Sequence, residues 1–567
     1  MQYVVLAADY DGTIAYNGVV DDRTIAALTR LRASSRRLIL ATGRELPDLE
    51  RVMPRLDLFE RVVAENGALL YRPQSREERV LADPPPPRFV ELLREFGVSP
   101  LSAGHAIVAT WHPNEDAVLQ AIRELGLELQ IVFNKGAVMV LPAGVNKESG
   151  LRAALDELEI SPLNCVGVGD AENDNAMLEL CGAKVAVANA LDSVKETALI
   201  VTPGARGAGV VELIERILAT DLAELDESSP RQQIALAALP DGNGELHYSP
   251  QRHNLLLAGT SGGGKSTLVT GLLERLHARG FQFCLVDPEG DYEELEIAVT
   301  LGGQDTPPTP ERVAELLRKL GANVVANLLG VKLEDRPGSF IMLMAEIGKL
   351  RARTGRPHVV VIDEAHHVLP ACIDPSAEIP AEAKGLIFVT VEPTALSPRI
   401  VGLVDRVIAV GEEPGSVLAE FCHIAGLPDP AFDGSLERGE MATLSRDDPQ
   451  PRRLRVIPPS SMHRRHVRKY AKGTLGEEKS FYFRGPDGRL NLRAQNLMLF
   501  VQLAEGVDDA TWEHHRRRGD YSQWIADSIK DDNLAQEVGA VERGELAVAE
   551  AKAAIRKAIE RRYTLPA

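Results

Sequence analysis

Short apolar runs alternate with segments of helical periodicity along the first 220 residues. Five of the runs have the length of buried strands: residues 3–7, 37–41, 61–63, 164–168 and 184–187. Between them, residues 23–33 and 210–219 repeat apolar positions at helical spacing. Strands that alternate with helices predict a parallel sheet covered by helices, which is an α/β fold.

An insertion at about residues 71–140 interrupts this alternation. It contains the proline-rich segment ADPPPPR and then a helix, a strand, a second helix and two further strands. These elements are enough to form a small sheet with helices of its own. We therefore expect an α/β cap inserted into the first domain, which spans residues 1–220.

A second α/β alternation follows an acidic segment, residues 221–233, whose turn residues and lack of periodicity indicate a linker. Its candidate strands are residues 254–258, 282–286, 359–362, 386–391 and 404–410. We place this second domain at residues 234–450. A basic linker at residues 451–472 and a mostly helical carboxy-terminal domain at residues 473–567 complete the predicted order.

Composition narrows the class of protein. The 567 residues are 44% hydrophobic, enough for several globular cores, and no run of about 20 apolar residues predicts a membrane span. We expect a cytoplasmic protein whose five scattered cysteines are reduced and buried, without a zinc site. The net charge of −19 opposes unspecific binding to nucleic acid. The segment 452–472, with eight Lys or Arg and no acidic residue, is either a solvated linker or a nucleic-acid contact.

Four motifs in the first domain carry groups suited to phosphoryl transfer. In ADYDGT, Asp9 and Asp11 stand two apart at the end of a strand, so both side chains project to the same side. One carboxylate can then attack phosphorus while the other handles the proton of the leaving group. The later motifs add Thr42 in ATGR, Lys147 in GVNKESGL, and Asp170 and Asp174 in VGVGDAENDNAML.

These motifs, in this order, resemble those of the haloacid dehalogenase superfamily of phosphatases, in the Cof-like subclass with an α/β cap between the second and third motifs. The resemblance covers about residues 1–220 and implies a Rossmann-like core. It implies Asp9 as the nucleophile that forms an aspartyl-phosphate and Asp11 as general acid and then base. It also implies that Thr42 and Lys147 bind the phosphoryl group. Mg²⁺ would be bound by four aspartates: Asp9, Asp11 through its carbonyl, Asp170 and Asp174.

Two further places match the substrate pocket of that subclass: Arg44, and the turn ENG at Glu65–Gly67, which contains Asn66. A purely structural role at a strand end is the alternative for both. A cap of this size should exclude water during transfer, which favours small phosphate esters over polymer ends. The resemblance covers sugar phosphatases and phosphoglycolate phosphatases alike.

The second domain contains GTSGGGKS between an apolar strand and a helix, which is the context of a phosphate-binding loop. Its backbone and Lys265 suit the phosphates of ATP, and Ser266 suits Mg²⁺. The residues predicted to bind ATP are Gly259, Gly262, Gly263, Gly264, Lys265, Ser266, Thr267 and Asp363. In HVVVIDEAHH, Asp363 would hold the metal through water and Glu364 would polarise the attacking water.

With CLVDPEGDY, these motifs resemble the HerA/FtsK class of RecA-like ring ATPases over about residues 228–445. The resemblance implies a homo-oligomer, a ring of six, in which an arginine from the next subunit completes each site. Arg399 and Arg406 are the candidates, with a surface charge as the alternative for each. Thr390 and Val391 occupy the place where that class commonly has a polar sensor.

Three functions fit the sequence. The first is a Mg²⁺-dependent phosphatase joined to a ring ATPase, with a small phosphate ester and ATP as substrates. The second is a nucleic-acid-translocating ATPase, in repair or antiviral defence, whose first domain processes nucleotide or strand-end phosphates. In the third, the ATPase domain only binds nucleotide for regulation or assembly. The aromatic and basic residues near the carboxy terminus either form a small core or bind nucleic-acid bases or a partner.

Overall fold

The structure is a computed structural model, and it describes residues 1–134, 136–225, 229–260, 263–375, 379–432, 434–460, 475, 480–488, 490–529 and 531–563. Three regions follow one another along the chain, each with its own buried apolar cluster. No helix in these ranges is both long and apolar enough to cross a membrane.

The first region is built on one sheet covered by helices. Its strands, with those of its insertion, are β1 (Val5–Asp9), β2 (Arg37–Ala41), β3 (Arg61–Ala64), β4 (Leu69–Arg72), β5 (Glu77–Val80), β6 (Ser102–Ala103), β7 (Val108–Trp111), β8 (Leu129–Asn134), β9 (Ala137–Pro142), β10 (Cys165–Gly169), β11 (Ala183–Ala186) and β12 (Ile200–Val201). Its helices are α1 (Asp22–Ala33), α2 (Leu46–Val52), α3 (Pro87–Glu95), α4 (Glu115–Leu125), α5 (Lys147–Glu157), α6 (Asn175–Leu180), α7 (Asp192–Lys195) and α8 (Gly207–Thr220).

The main sheet of this region has the order β12-β11-β10-β1-β2-β3-β4-β5. Strand β1 lies between β10 and β2 and is parallel to both. All its residues are buried, because helices cover both faces of the sheet. The predicted parallel α/β core is therefore confirmed.

The cap forms a separate antiparallel sheet of order β6-β7-β9-β8, against which α3 and α4 pack. It begins later than the predicted boundary near residue 71. Strand β4 pairs with β3 and buries Leu69 and Leu70 in the main core, and β5 pairs with β4. The proline-rich residues 82–88, which follow β5, therefore lead into the cap.

The second region contains one large mixed sheet. Its strands are β13 (Ile234–Ala238), β14 (Glu245–Tyr248), β15 (Leu255–Ala258), β16 (Phe283–Asp287), β17 (Val299–Gly302), β18 (Val324–Asn327), β19 (Val359–Ile362), β20 (Leu386–Thr390), β21 (Arg406–Ala409), β22 (Glu440–Ser445) and β23 (Arg452–Val456). Its helices are α9 (Lys265–Ala278), α10 (Pro310–Arg318), α11 (Arg336–Thr354), α12 (Pro398–Leu403) and α13 (Pro414–Ala425).

The order of this sheet is β14-β13-β23-β22-β21-β15-β20-β19-β16-β18-β17, and the strands from β21 to β17 are parallel. Strand β23 pairs with β22, so the first residues of the predicted basic linker belong to the sheet. Residues 461–472 of that linker lie outside the described residues, and so do residues 226–228 of the predicted linker 221–233.

The third region is mostly helical, as predicted. A small antiparallel pair, β24 (Phe481–Phe483) and β25 (Leu492–Ala494), precedes the helices α14 (Leu497–Gly506), α15 (Asp509–Arg518), α16 (Asp520–Trp524), α17 (Asp532–Arg543) and α18 (Val548–Tyr563). Seven aromatic residues belong to its buried apolar core, together with aliphatic residues: Phe481, Phe483, Phe500, Trp512, Tyr521, Trp524 and Tyr563. The interpretation of these aromatics as a small core is confirmed.

The described cysteines are free, and four of them are buried. Cys372 is exposed, so the expectation of burial was wrong at that position. It lies in an irregular segment between β19 and β20 rather than on a strand.

The two α/β regions meet at the amino-terminal ends of their strands. Asn164 directly precedes β10, and its side-chain oxygen lies 3.0 Å from Nε2 of His358, which directly precedes β19. The backbone N–H of Gln282 donates to the other ring nitrogen of His358. The ring is therefore the neutral tautomer that donates from Nε2 to Asn164. The carboxyl ends of the two sheets consequently point away from each other.

Candidate functional site

The predicted groups of the first region converge at the carboxyl ends of β1, β2 and β10. Asp9 ends β1, Thr42 follows β2, and Asp170 follows β10. Because these strands are parallel and adjacent, their carboxyl ends lie at one edge of the sheet. All three side chains are buried there.

Lys147 brings a positive charge into this edge. It is the first residue of α5, whose amino-terminal end is fixed by a capping box between Asn146 and Ser149. Its Nζ lies 2.5 Å from Oδ1 of Asp9 and 2.6 Å from Oδ1 of Asp174, and its side chain is 1% exposed. Burial alone lowers the pKa of Lys147, but the two carboxylates outweigh burial and raise it. The ammonium group therefore stays charged between two carboxylates.

Three carboxylates form a cluster that fits a divalent cation. Oxygen atoms of Asp9, Asp170 and Asp174 all lie within 4.8 Å of one another. Oδ2 of Asp174 accepts the backbone N–H groups of Asp170 (2.9 Å) and Ala171 (3.0 Å), which fixes that carboxylate. Burial, followed by the charge of Asp174, raises the pKa of Asp9 to about 7. Hard oxygen donors that repel one another in a buried site suit Mg²⁺.

Asp11 occupies the outer side of this cluster and is held by Arg44. The guanidinium donates from Nε to Oδ2 (2.6 Å) and from Nη2 to Oδ1 (2.7 Å), and it also pairs with Asp48. A bidentate pair of this kind fixes both the position and the plane of a carboxylate. Arg44, a candidate for substrate binding, thus contacts Asp11 directly.

The turn ENG connects this edge to the cap. Glu65 is fully buried, and it accepts the backbone N–H groups of His105 (2.9 Å), Ala106 (2.9 Å) and Ile107 (3.3 Å) in the cap. Sequence reasoning did not assign this role to Glu65. The signals were an acidic residue directly after a strand and the match of its turn to the substrate pocket.

Asn66 lies on the inner side of the same turn, in a left-handed conformation with a φ of 52°. Its backbone N–H donates to the Thr42 carbonyl (2.9 Å), and its Oδ1 accepts from Asn173 (3.2 Å). Its Nδ2 is buried and has no hydrogen-bond partner among the described residues. A buried donor without a partner is costly, so Asn66 is suited to bind an acceptor on a ligand.

The phosphate-binding loop lies at the carboxyl end of β15. A Cβ atom at Gly259 would lie 1.9 Å from the Val410 carbonyl oxygen, so only glycine fits there. Gly264 has a φ of 97° and leads into α9, whose first turn contains Lys265, Ser266 and Thr267. Gly263 is part of the same loop, whereas Gly262 lies outside the described residues. Nζ of Lys265 donates to the carbonyls of Gly259 (2.6 Å) and Thr260 (3.2 Å).

Acidic residues follow two neighbouring parallel strands at the same edge. Asp363 and Glu364 come after β19, and Asp287 ends β16 beside it. Burial raises the pKa of Asp287 to about 7, and the nearby charge of Asp363 adds to this. Burial also raises the pKa of Glu364, an effect that the charge of Lys265 opposes. The motif analysis missed Asp287, although it follows an apolar strand in the same way as Asp363.

The remaining predicted residues of the second region are spread around this edge. Thr390 ends β20, which lies between β15 and β19, and its Oγ1 is 3.3 Å from Nδ1 of His366. Arg406 begins β21 and is therefore at the opposite end of the sheet from Lys265. Arg399 is near the start of α12, half-exposed, with Nε 3.8 Å from an oxygen of Asp374. The single chain brings neither arginine into contact with Lys265.

Comparisons with known proteins match both α/β regions. Residues 6–113 and 113–214 match the family of haloacid dehalogenase-like hydrolases, and residues 250–384 match an AAA domain. The phosphoglycolate phosphatase of Halorubrum lacusprofundi is 34% identical over 207 residues, which are 35% of this chain and 89% of that protein. Phosphoglycolate phosphatase 2 of Saccharolobus solfataricus is 29% identical over 221 residues, 38% of this chain and 92% of that protein.

Among solved structures, a haloacid dehalogenase-like hydrolase from Bacteroides thetaiotaomicron is similar, with 21% identity and a TM-score of 0.34. The match covers 38% of this chain and 99% of the other chain.

Proposed function

The chain belongs to the haloacid dehalogenase-like hydrolases, and from that premise we propose that its first site is a Mg²⁺-dependent phosphatase for small phosphate monoesters. The resemblance inferred from the four motifs is confirmed. The presence of a P-loop ATPase-type domain is confirmed as well. The chain is thus a phosphatase joined to an ATPase.

We assign the phosphatase roles from the contacts around Asp9. A carboxylate oxygen of Asp9 attacks phosphorus, and the bond to the ester oxygen breaks. Asp11 donates a proton to that oxygen, and then removes a proton from the water that cleaves the aspartyl-phosphate. The pair with Arg44 fixes the position of the Asp11 carboxylate. Thr42 and Lys147 bind the phosphoryl oxygens.

Asp9, Asp170, Asp174 and the carbonyl of Asp11 would hold Mg²⁺. When bound, the ion supplies positive charge that offsets the repulsion between a carboxylate and a phosphate dianion. The clustered oxygens of the three carboxylates support this assignment.

For the substrate, we propose a small phosphorylated carboxylate of the size of 2-phosphoglycolate. The relatives named above are phosphoglycolate phosphatases. The cap contacts the core through Glu65. A cap that excludes water during transfer favours a small ester. The unpartnered amide of Asn66 is suited to donate to the substrate carboxylate.

For the second region, we propose that Lys265 and Ser266 bind ATP and Mg²⁺, that Asp363 holds the ion through water, and that Glu364 polarises the attacking water. The ring of six, the narrower HerA/FtsK-like assignment and the trans-acting arginine stay part of this proposal. Arg399 is the better candidate for that arginine, because it is half-exposed and lies on the helix that follows β20.

Nucleic acid as a partner and the cytoplasmic location remain predictions. Most of the basic segment on which the first depends, residues 461–472, lies outside the described residues.

The observation that carries the phosphatase proposal is the position of Lys147 between Asp9 and Asp174. The test is hydrolysis of 2-phosphoglycolate with Mg²⁺ by wild type, by Asp9→Asn and by Asp192→Asn. The last variant is a matched control, because the side chain of Asp192 is 93% exposed and pairs with Lys195. Asp9→Asn should lose the activity and Asp192→Asn should keep it. Retained activity in Asp9→Asn would refute the nucleophile assignment.

A further inference from the structure

A cavity of about 330 Å³ lies between the two α/β regions, at the amino-terminal ends of their strands. Gln2 and Asp221 line it from the first region, and Arg252, Ile347, Arg351 and Lys384 line it from the second. Asp170 and Asp363 lie at the far ends of β10 and β19. At about 3.3 Å per residue, the cavity is therefore on the order of 15 Å or more from either site.

Arg351 is the lining cation that lacks a carboxylate partner among the described residues. Its Nη2 donates to the carbonyls of His358 (2.9 Å) and Lys384 (2.8 Å), whereas its Nε and Nη1 donate to no described residue. Among the other lining cations, Lys384 pairs with Asp405 at 2.8 Å and Arg252 with Asp221 at 4.0 Å, and the charge of Asp221 also acts on the α-ammonium group of Met1. Asp221 and Glu382 are the acidic residues of the lining. Burial lowers the pKa of Arg351 only to about 10, so it stays charged at neutral pH.

We propose that this cavity binds a small organic anion whose carboxylate or phosphoryl group pairs with Arg351. The N–H groups left free on Nε and Nη1 can each donate to an oxygen of either oxyanion, and the charge of the guanidinium strengthens such a hydrogen bond. Met344, Ile347 and Leu386 supply an apolar wall, so the ligand has an apolar body beside its charge. The volume is in the range of pockets for small molecules. This proposal does not depend on the reaction of either active site.

Through its hydrogen bonds, Arg351 connects such a ligand to residues at the junction of both regions. The two carbonyls that Arg351 contacts belong to His358, which precedes β19, and to Lys384, close to the start of β20. His358 also bonds to Asn164 of the first region. An anion that pairs with Arg351 therefore acts where the strands of the ATPase edge begin and where the phosphatase region is attached. We expect it to change the ATPase rate.

Binding is tested on the full chain in the double variant Asp9→Asn, Lys265→Ala, without Mg²⁺, so that both known phosphate sites are impaired. Isothermal titration uses benzoate and phenylphosphonate as probes, with neutral benzamide as the control. We expect one site per chain for at least one of the two anions, and none for benzamide. The preferred probe identifies the ligand as a carboxylate or a phosphoryl compound. Absence of binding by both anions would overturn the proposal.

Two variants in that background locate the site. Gly348→Leu fills the cavity from α11, where an added Cβ meets no atom within 4 Å, so the fold should tolerate it. Arg351→Met removes the charge but keeps an unbranched apolar side chain. Each should weaken anion binding about tenfold or more. Arg353→Met is the matched control on the same helix, because Arg353 pairs with Glu159 outside the cavity.

Binding that survives Gly348→Leu would overturn the proposal, and this variant decides the question even if Arg351→Met does not fold. Binding that survives in a folded Arg351→Met protein would overturn the role of Arg351 and with it the proposal. Equal losses in Arg353→Met and Arg351→Met would also count against it.

Discussion

The two catalytic edges of this chain balance their charges in different ways. In the phosphatase region, Lys147 is buried between Asp9 and Asp174, so a cation of the same chain already opposes the carboxylates. In the ATPase region, Lys265 donates to two carbonyls of its own loop. Three carboxylates, those of Asp287, Asp363 and Glu364, lie at the same edge of the sheet. The first site is thus organised within one chain. The second, on our account, requires nucleotide, metal and a neighbouring subunit.

The largest effect is expected for Lys147→Met. Removing the ammonium leaves two buried carboxylates without their partner and removes a group that binds the phosphoryl oxygens. Hydrolysis of 2-phosphoglycolate should fall about 10³-fold, the range seen when one such electrostatic contact is lost. ATPase activity of the same sample should stay within about twofold. Lys195→Met, on helix α7, is the control and should change neither rate. A comparable fall in Lys195→Met would show that the loss of phosphatase activity in Lys147→Met is not specific.

A smaller effect, on the ATPase and not on the phosphatase, is expected for Glu364→Gln. The amide cannot polarise the attacking water as a carboxylate does, so ATP should still bind while its hydrolysis slows about 10²-fold. Nucleotide affinity, ATP turnover and the phosphatase rate are measured on the same sample. The phosphatase rate should not change. Glu346→Gln on α11 is the control. Equal turnover in wild type and Glu364→Gln would contradict the assignment.

Glu65→Gln should weaken the phosphatase by about tenfold in kcat/KM. The buried carboxylate accepts three backbone N–H groups of the cap, and a neutral amide accepts them less strongly and adds a donor with no place to bond. Because Glu65 acts through the cap, the effect should be larger with a small ester than with a bulky one. The same loss for every ester would indicate a direct role in the chemistry. Glu77→Gln, on the exposed strand β5, is the control, because its carboxylate pairs with Arg72.

The smallest effect concerns the junction between the regions. Burial, followed by the charges of Arg356 and Arg351, lowers the pKa of His358 to about 3 from the ordinary histidine value of 6.5. The unfolded chain therefore binds more protons than the folded one between these values. The contribution of His358 to the free energy of unfolding should therefore be fully present above pH 6.5. It should decrease as the pH falls below that value, by at most about 1.4 kcal/mol per pH unit.

Denaturant unfolding from pH 7 to pH 5 measures this dependence. It should be shallower in His358→Gln than in wild type, and unchanged in His247→Gln, whose ring is exposed. Identical slopes in wild type and His358→Gln would contradict the buried neutral histidine.

The sequence predicted the catalytic edges well because their groups directly follow apolar strands. Asp9, Asp170 and Asp363 each come after such a run, and parallel strands bring their carboxyl ends together. Glu65 and Asp287 also stand at the ends of strands. The resemblance placed the turn of Glu65 in the substrate pocket, not at the cap contact, and the motif CLVDPEGDY gave Asp287 no role of its own. The junction was not predictable, because Asn164 and His358 lie 194 positions apart and meet only when two sheets pack. The predicted start of the cap near residue 71 was wrong for a similar reason, because only the pairing of β4 with β3 shows that β4 belongs to the main sheet.

The most direct test of the account measures both activities per subunit in one sample over a wide range of protein concentration, with Mg²⁺ present. The phosphatase rate per subunit should be constant, because its site is complete within one chain. The ATPase rate per subunit should rise with concentration, together with a species near six times 61.6 kDa in the presence of an ATP analogue. A monomer whose ATPase rate per subunit is full and independent of concentration would contradict the account.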